Sequence, residues 1–399
     1  MMPPSNQSTT VPVGPWSNAI VAVLVLWMIL PMALLGRFAQ DGTAFTVAAD
    51  LFAENPEVVY PQAQVQDAPP SRIEQRYCER AARADCAAAR ADFVSPPPFL
   101  AVVAPLTWLP TWLGVLVQRV AAAAMLAASV VVLWRRLPRA NDGVLFAALA
   151  MLTPLVVHTL VLGQNTPLLV LSAALGTTAT STRGRMLRGA LWGVAATAKL
   201  FPLALGGVLV LRRRWTMLLA GISLVAVLSA FVTILEPGLW ASFRTVTGKA
   251  LDVATRNPYV VSFDSALPRV WPSARELATP SFVLRAGLLG FVWWRWGRRL
   301  TQDIEWAWAY AAVASLSANA WPHYFLILIP ALVLAVGTRR DKTRWLLPAF
   351  AAVGAIAVLT WGSSAPATVV VPGAYLATVL VVPILGVRPT KPSPVDVIS

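Results

Sequence analysis

Few ionisable residues of this chain stand where they could carry out chemistry, because most charges lie in short clusters between apolar runs. Asp41 follows the first apolar run, and a carboxylate there could take a proton from an arriving hydroxyl group. Since Gly-Thr-Ala follows Asp41, the same side chain could instead cap a helix. Lys199 lies inside an apolar run, where an ionised lysine costs at least ~2.5–3.5 kcal/mol unless it is compensated. We expect Lys199 to be paired or to bind an anion, with extension toward the membrane surface as the alternative.

The chain has two histidines. His158 lies on an apolar helix face and is predicted to be a core residue. His323 stands in the segment SANAWPHYF, beside Pro322 and Tyr324, at the predicted end of a helical hairpin. This position makes His323 a candidate site residue. Gly163-Gln164-Asn165 separates two other apolar runs and is typical of a hairpin turn on the same side.

Two cysteines, Cys78 and Cys86, lie in a polar segment that we predict to be outside the cell, where disulfides form. In one straight helix they would be about 12 Å apart and could not bond. A turn between them would permit a disulfide. The sequence leaves both arrangements open.

Arg119 and Arg285 also lie within apolar runs, about two or three turns from a span end. The sequence leaves open whether they extend toward the membrane surface. Asp303-Ile304-Glu305 is predicted to lie on the cytoplasmic side and to cap the helix that follows it. The sequence contains no P-loop, HExxH or cysteine-histidine zinc motif. Nothing in it calls for a metal or another cofactor.

The composition indicates a membrane protein. Hydrophobic residues make up 57% of the 399 residues and charged residues 13%, against about 25% charged in soluble domains. Apolar runs of about 15–25 residues recur along the chain, as in polytopic all-α membrane proteins. We predict spans at Asn18–Gly36, Pro110–Trp134, Val144–Leu162, Pro167–Thr180, Leu187–Leu211, Met217–Leu235, Phe282–Trp296, Trp306–Ala320, Tyr324–Val336, Trp345–Trp361 and Val369–Val387.

The run Leu187–Leu211 is predicted to be two short half-helices, or a re-entrant hairpin, that turn near Lys199 and Pro202. Arginines flank it at both ends, and a single crossing would place one of these clusters outside. Counting it twice gives about 12 crossings with both termini cytoplasmic. The first run, Asn18–Gly36, is expected to be a membrane helix rather than a cleaved signal peptide.

The net charge of +14 reflects topology. With these crossings, most arginines between the spans fall on one side, as the positive-inside rule requires of the cytoplasm, so nucleic-acid binding is not expected. A single membrane domain would cover residues 1–387, followed by a cytoplasmic tail at 388–399. Extracytoplasmic loops would occupy residues 37–110 and 236–281, and the protein would lie in the inner (plasma) membrane with its active site outside.

The first of these loops is predicted to hold two juxtamembrane helices. Phe45, Ala48, Ala49 and Phe52 repeat at helical spacing, with Thr46 on the opposite, polar face, so this helix is expected to lie on the membrane surface. Three prolines at 96–98 precede a second apolar segment that is too short to span.

Five segments, taken together and in order, resemble glycosyltransferase family 87. They are DGTAFTVAADLF with VVYP after it, SPPPFLAVVAPLTWLP, GQNTPLL, KLFP before RRRW, and SANAWPHYF. They run from the first span nearly to the end of the chain. Ser95 departs from the tyrosine that the family has before the prolines, and Asn257–Ser262 follows its second-loop pattern only loosely.

The resemblance implies a GT-C-like fold and a catalytic aspartate at Asp41, with His323 in the active site. Family members are similar to actinobacterial mannosyltransferases that use polyprenyl phosphate mannose and build phosphatidylinositol mannosides or lipomannans. The expected partners are a polyprenyl phosphate sugar, a glycolipid acceptor and membrane lipids. We predict that the donor phosphate or the substrate is bound by Lys199, Arg256, Arg269, Gln164, Asn165 and Tyr324.

Two alternatives remain. An arabinosyltransferase that uses polyprenyl phosphate arabinose would differ only in its donor. A transporter or flippase of lipid-linked sugars would also contain broken helices and buried cations, although the acidic outer loop favours an enzyme.

Overall fold

The computed structural model describes residues 15–33, 45–49, 51–52, 95–179, 181–245, 247, 260, 262–271, 273, 278–317, 320–337, 339, 341–359 and 365–387. Regular secondary structure in this part of the chain is helical. The predicted roles of Asp41, Cys78, Cys86 and Arg256, and the predicted tail at 388–399, concern residues outside these ranges.

Fourteen α-helices in the described ranges are numbered here in chain order. They are α1 Pro15–Ala33, α2 Pro98–Val103, α3 Thr111–Trp134, α4 Asp142–Leu162, α5 Thr166–Leu175, α6 Thr182–Ala198, α7 Gly206–Leu211, α8 Trp215–Leu235, α9 Phe263–Val270, α10 Ala278–Arg295, α11 Gln302–Ser315, α12 Phe325–Ala335, α13 Leu346–Leu359 and α14 Ala365–Gly386. Short 3₁₀ helices follow α2 at Ala104–Trp108, precede α7 at Phe201–Leu205, and precede α12 at Pro322–Tyr324. Residues 45–49 and 51–52 are also helical.

These helices confirm the prediction of an all-helical membrane protein. Five helical segments in the described ranges are long and apolar enough to cross a membrane: Trp16–Ala33, Trp112–Trp134, Arg139–Leu162, Trp215–Leu235 and Lys342–Leu359. Shorter apolar helices, such as α5 and α12, lie between them. The total of about 12 crossings stays a prediction.

The core of the bundle is formed by helices that are apolar on every face. Every residue of α12 is buried, as is nearly every residue of α11. The two helices pack against each other, and α5 and α14 pack on α12. A helix without a polar face is stable only when it is surrounded by protein or lipid, so α12 forms the centre on which the outer helices pack.

The chain breaks after α6, where the sequence predicts a turn. Lys199 ends α6 in an extended conformation, and the chain continues through Phe201–Leu205 into α7. The 17 residues of α6 extend about 25 Å at 1.5 Å per residue. Lys199 therefore stands at the opposite end of α6 from Arg183 and Arg185.

Glycines allow α6 and α8 to pack at very short distance. A Cβ atom added at Gly189 would lie 2.2 Å from the carbonyl oxygen of Met217, and one at Gly193 would lie 2.7 Å from that of Gly221. A Cβ atom at Gly221 would lie 2.3 Å from the Trp192 ring. Small residues spaced by four allow close packing of membrane helices, so this contact fixes the position of Trp192.

Arginines and two carboxylates join the helices at one end of the bundle, here called the basic end. Asp303 accepts hydrogen bonds from the N–H groups of Thr177 and Thr178 and pairs with Arg136 at 3.1 Å. Glu305 pairs with Arg212 at 2.6 Å and accepts a hydrogen bond from the Trp293 indole.

These contacts correct the expectation that Asp303-Ile304-Glu305 caps a helix. Thr301 precedes α11 as its N-cap residue, and both carboxylates reach neighbouring helices instead. Gly176 permits the approach of Asp303, because a Cβ atom there would lie 2.2 Å from its Oδ1.

The segment at residues 45–52 differs from a helix on a membrane surface. Phe45 and Phe52 are buried, but so is Thr46, from the predicted polar face. Phe45 packs edge-on against Phe99 of α2, with ring centroids 5.5 Å apart. Where it is described, this helix packs into the protein on both faces, because α2 and α3 cover it.

We predict that Gly221→Ala lowers the stability of the protein by about 1–3 kcal/mol, because the added methyl group overpacks the contact with Trp192. The matched control is Gly207→Ala, since a Cβ atom at Gly207 meets nothing within 4 Å. Thermal unfolding of both variants in detergent measures the difference. Equal midpoints would show that the glycine contact does not limit the packing of α6 on α8.

Candidate functional site

The end of the bundle opposite the basic end, here called the site end, brings three separate segments together. They are the turn Gly163–Asn165 after α4, the break at Lys199 after α6, and the 3₁₀ helix Pro322–Tyr324 before α12. The Asn165 side-chain amide donates to the Ala198 carbonyl at 3.4 Å. The Lys199 ammonium lies 5.9 Å from the centre of the Tyr324 ring, within the range of a cation–π interaction.

The turn after α4 needs a glycine because of its backbone conformation. Gly163 has a φ of 71°, in the left-handed region. The N–H of Gly163 donates to Leu160 and that of Gln164 to Thr159, which is the Schellman ending of a helix. The turn thereby directs Asn165 toward the end of α6, and the Gln118 amide donates to the Gly163 carbonyl at 3.3 Å.

The break that carries Lys199 is held from inside the protein. The Trp192 indole donates to the Pro202 carbonyl at 2.8 Å, across the turn. Lys199 also donates its backbone N–H to Ala195, which completes the last turn of α6. Both hydrogen bonds pair backbone carbonyl groups near the point where the helix breaks. They hold in place the backbone that carries Lys199.

His323 is fully enclosed at the site end. It is fully buried, and its two ring nitrogens have no hydrogen-bond partner among the described residues. The ring of His158 stacks on it at 6.5 Å with an angle of 28° between the planes, and Trp321 stacks at 6.5 Å with an angle of 9°. Lys199 is also near enough to His323 to interact with it electrostatically.

This arrangement combines one cation with two imidazoles. The ion pairs found in the described ranges join carboxylates to arginines elsewhere, and none of them involves Lys199. His323 is buried, and Lys199 and His158 are half-buried. Since no described carboxylate pairs with Lys199, this cluster favours a negatively charged ligand that supplies the missing charge. Asn165 and the imidazoles add hydrogen-bonding groups suited to phosphate oxygens.

Arg285, whose orientation the sequence leaves open, is buried within the protein. Its guanidinium group pairs with Asp264 of α9 at 2.5 Å, and both side chains are buried. It also donates to the Ser315 carbonyl at 3.0 Å, at the end of α11. Arg285 therefore ties α9 and the end of α11 to α10.

Arg119 is buried as well and donates to the Val161 carbonyl at 3.1 Å. It supports the end of α4 just before the Gly163 turn. Of the possibilities that the sequence leaves open, both arginines thus take the one inside the protein, where each guanidinium group finds partners.

A pocket opens beside Tyr324. Its walls come from α9, the end of α11, the Trp321–Phe325 segment and α14, and include Phe263, Ser315 and Tyr375. Tyr324 is thus shared between the pocket and the cation–π contact with Lys199.

The structure brings Asn165, Lys199, His323 and Tyr324 together at the site end, with Gln164 in the adjoining turn. Arg269 lies in α9, and its side chain is not among the described ones. Sequence reasoning missed His158 as a neighbour of His323. The only signal that could have paired them is that both histidines lie near helix ends on the same predicted side.

We predict that Arg285→Met destabilises the protein by about 3–5 kcal/mol, because it leaves the Asp264 carboxylate buried without its partner. The matched control is Arg139→Met, since the Arg139 side chain is 67% exposed and lies 3.9 Å from its partner Asp142; its loss is expected to stay below about 1 kcal/mol. Thermal unfolding compares them. The double variant Arg285→Met, Asp264→Leu should recover much of the loss, and a double variant no more stable than Arg285→Met would contradict this account.

The family model of glycosyltransferase family 87 matches residues 93–322, more than half of the chain. The matched residues include the Gly163 turn, the Lys199 break and Trp321. They end immediately before His323, and Asp41 precedes them. No curated protein and no solved structure matches the chain significantly.

Proposed function

The chain belongs to glycosyltransferase family 87 and is a membrane glycosyltransferase, and on this premise we propose that it transfers a mannosyl residue from polyprenyl phosphate mannose to a mannolipid. The acceptor would be of the phosphatidylinositol mannoside or lipomannan type. The reaction would take place on the extracytoplasmic face of the plasma membrane, since the site end lies opposite the basic end.

Asp41 is the proposed general base. Its carboxylate takes the proton from an acceptor hydroxyl group as that oxygen attacks the anomeric carbon. The new glycosidic bond forms while the bond from the anomeric carbon to the phosphate oxygen breaks, and polyprenyl phosphate leaves. A single displacement inverts the anomeric centre, so a β-linked donor gives an α-linked product.

Lys199 and His323 are the proposed binding groups for the leaving phosphate, which gains negative charge in the transition state. Fixed positive charge stabilises that state most where the protein excludes water. Arg256 and Arg269 of the second outer loop remain candidates for further contacts, and Asn165, Gln164 and Tyr324 complete the proposed binding set.

The observation that carries the proposal is the position of Lys199. Its ammonium lies at a rigid helix break 5.9 Å from the Tyr324 ring, beside a buried histidine, and no carboxylate among the described residues pairs with it. A lipid phosphate has the charge that this environment favours, and a donor anchored in the membrane can approach it laterally.

The first test is Asp41→Asn, which should lower sugar transfer by about 10²–10⁴-fold, the usual contribution of a general base. The assay uses purified protein, polyprenyl phosphate mannose and a mannolipid acceptor, with thin-layer analysis of the product. Polyprenyl phosphate arabinose serves as a parallel donor. Transfer from this donor alone would show that the protein transfers arabinose and not mannose. Full activity of Asp41→Asn would refute the assignment of the base.

The matched control is Asp341→Asn at the basic end. Hydrogen bonds from Thr343, together with the nearby Arg339, hold the pKa of this exposed carboxyl group below its usual value. Asp341 is therefore ionised at neutral pH, yet transfer should be unchanged in its variant. A wild-type protein that moves the lipid across liposomes and transfers no sugar would favour a transporter.

We also predict that Lys199→Gln lowers transfer by about 10²–10³-fold, because one fixed charge at the leaving phosphate is lost. Lys342→Gln, at an exposed lysine of the basic end, is the matched control and should retain activity. Kinetics at saturating acceptor measure both variants. Equal rates in the two would remove Lys199 from the site.

A further inference from the structure

We propose that the basic end binds the headgroup of an anionic membrane phospholipid, beside the starts of α6 and α8. This site is separate from the proposed donor site, because Lys199 stands at the opposite end of α6. The inference does not depend on the proposed function. It gives a binding role to arginines whose number the sequence explains only by topology.

The packing of α6 on α8 brings two groups of arginines to one level. Gly189 and Gly193, four residues apart on α6, contact residues of α8 that are also four apart and follow in the same order. The two helices therefore run parallel in a constant register. One turn before these contacts, Arg185 of α6 is level with Arg213, in the loop before α8.

The arginines at the start of α11 outnumber its carboxylates. Asp303 pairs with Arg136. Glu305 pairs with Arg212. A third arginine, Arg188, is near enough to Asp303 and Arg136 to interact with both electrostatically. It takes part in none of the ion pairs found in the described ranges, so an anion would balance the charge that remains.

Two guanidinium nitrogens in this region are buried and have no hydrogen-bond acceptor among the described residues. They are the Nη1 atom of Arg188 and the Nε atom of Arg214. A buried N–H group without an acceptor costs free energy, and guanidinium groups are well suited to phosphate oxygens. A phosphate group would supply both the negative charge and the acceptors.

An apolar surface adjoins these arginines and favours a lipid as the source of the phosphate. Trp215 directly follows Arg214, and Trp215, Leu219 and Ile222 of α8 are exposed. Their spacing places them on one face of the helix. Basic sites next to membrane helices bind anionic lipid headgroups, and here the acyl chains can pack along this face while the headgroup contacts the arginines.

Arg213 offers a probe that the backbone tolerates. Its φ is 53°, in the left-handed region. The N–H groups of Arg213 and Arg214 donate to Val210 and Leu209, which is the Schellman ending of α7. Glycine fits this position best, so Arg213→Gly removes a charge from the loop and leaves the fold intact.

The test measures the retention of dioleoyl phosphatidylglycerol by the purified full-length protein, with native mass spectrometry from detergent. The wild type should retain it more firmly than dioleoyl phosphatidylcholine, which has the same chains and no net charge. The double variant Arg188→Gln, Arg214→Gln should weaken retention at least about tenfold, because two guanidinium contacts are lost. Arg213→Gly should weaken it by a smaller factor.

Two controls locate the effect. The double variant Arg135→Gln, Arg139→Gln removes the same charge from exposed arginines of the basic end and should retain the lipid as the wild type does. Lys199→Gln should also retain it, because the site end is separate. Glycerol phosphate, which has no acyl chains, should not be retained at the same concentration.

Wild-type retention in both Arg188→Gln, Arg214→Gln and Arg213→Gly overturns the proposal, and Arg213→Gly decides alone if the double variant does not fold. Equal retention of phosphatidylcholine or of glycerol phosphate overturns the choice of an anionic lipid. An equal loss in Arg135→Gln, Arg139→Gln would show diffuse attraction without a site. Loss in Lys199→Gln alone would place the lipid at the site end and refute binding at the basic end.

Discussion

The hydrogen bond from Trp192 to the Pro202 carbonyl is the interaction on which the site end depends. A helix that stops inside an apolar layer leaves carbonyl groups without partners, and each costs free energy unless the protein supplies one. Trp192 and Asn165 supply partners on the two sides of Lys199. Trp192 can reach this position because Gly221 has no side chain in its way. The position of Lys199 therefore depends on the close packing of α6 on α8.

The two ends of the bundle use charge in opposite ways. At the basic end, Asp303 accepts hydrogen bonds from Thr177 and Thr178 and pairs with an arginine. Glu305 accepts one from the Trp293 indole and also pairs with an arginine, so both carboxylates hold helices together. At the site end, Lys199 contacts an aromatic ring and lies beside His323, and no ion pair among the described residues neutralises it. An ionised lysine without a counter-charge is costly inside a membrane protein. The presence of Lys199 at the site end therefore supports the proposal that this end binds an anion.

Much of the fold could be predicted from the sequence because helix length and hydropathy are local properties. The run predicted at Pro110–Trp134 is α3 at Thr111–Trp134, and Pro202 with its flanking arginines predicted the break after α6. Contacts between distant segments could not be predicted: the stacking of His158 on His323, and the pair of Arg285 with Asp264, depend on tertiary packing. The capping rule failed at Asp303 for the same reason, since a local preference gave way to partners on other helices. Asp41 lies outside the described residues. Its assignment as the base rests on the resemblance alone and stays a prediction.

The separation of the two ends also bears on the choice between an enzyme and a transporter. Transporters place their binding site near the middle of the membrane, between elements that rock against each other. Here ionic contacts join the helices at the basic end, on the far side of the bundle from Lys199. Rocking would have to break the buried contacts of Glu305 with Arg212 and Trp293, at a cost of several kcal/mol. A bundle joined by ionic contacts at one end therefore favours the proposed enzyme, which would bind a lipid phosphate at the other end from one face of the membrane without moving it across.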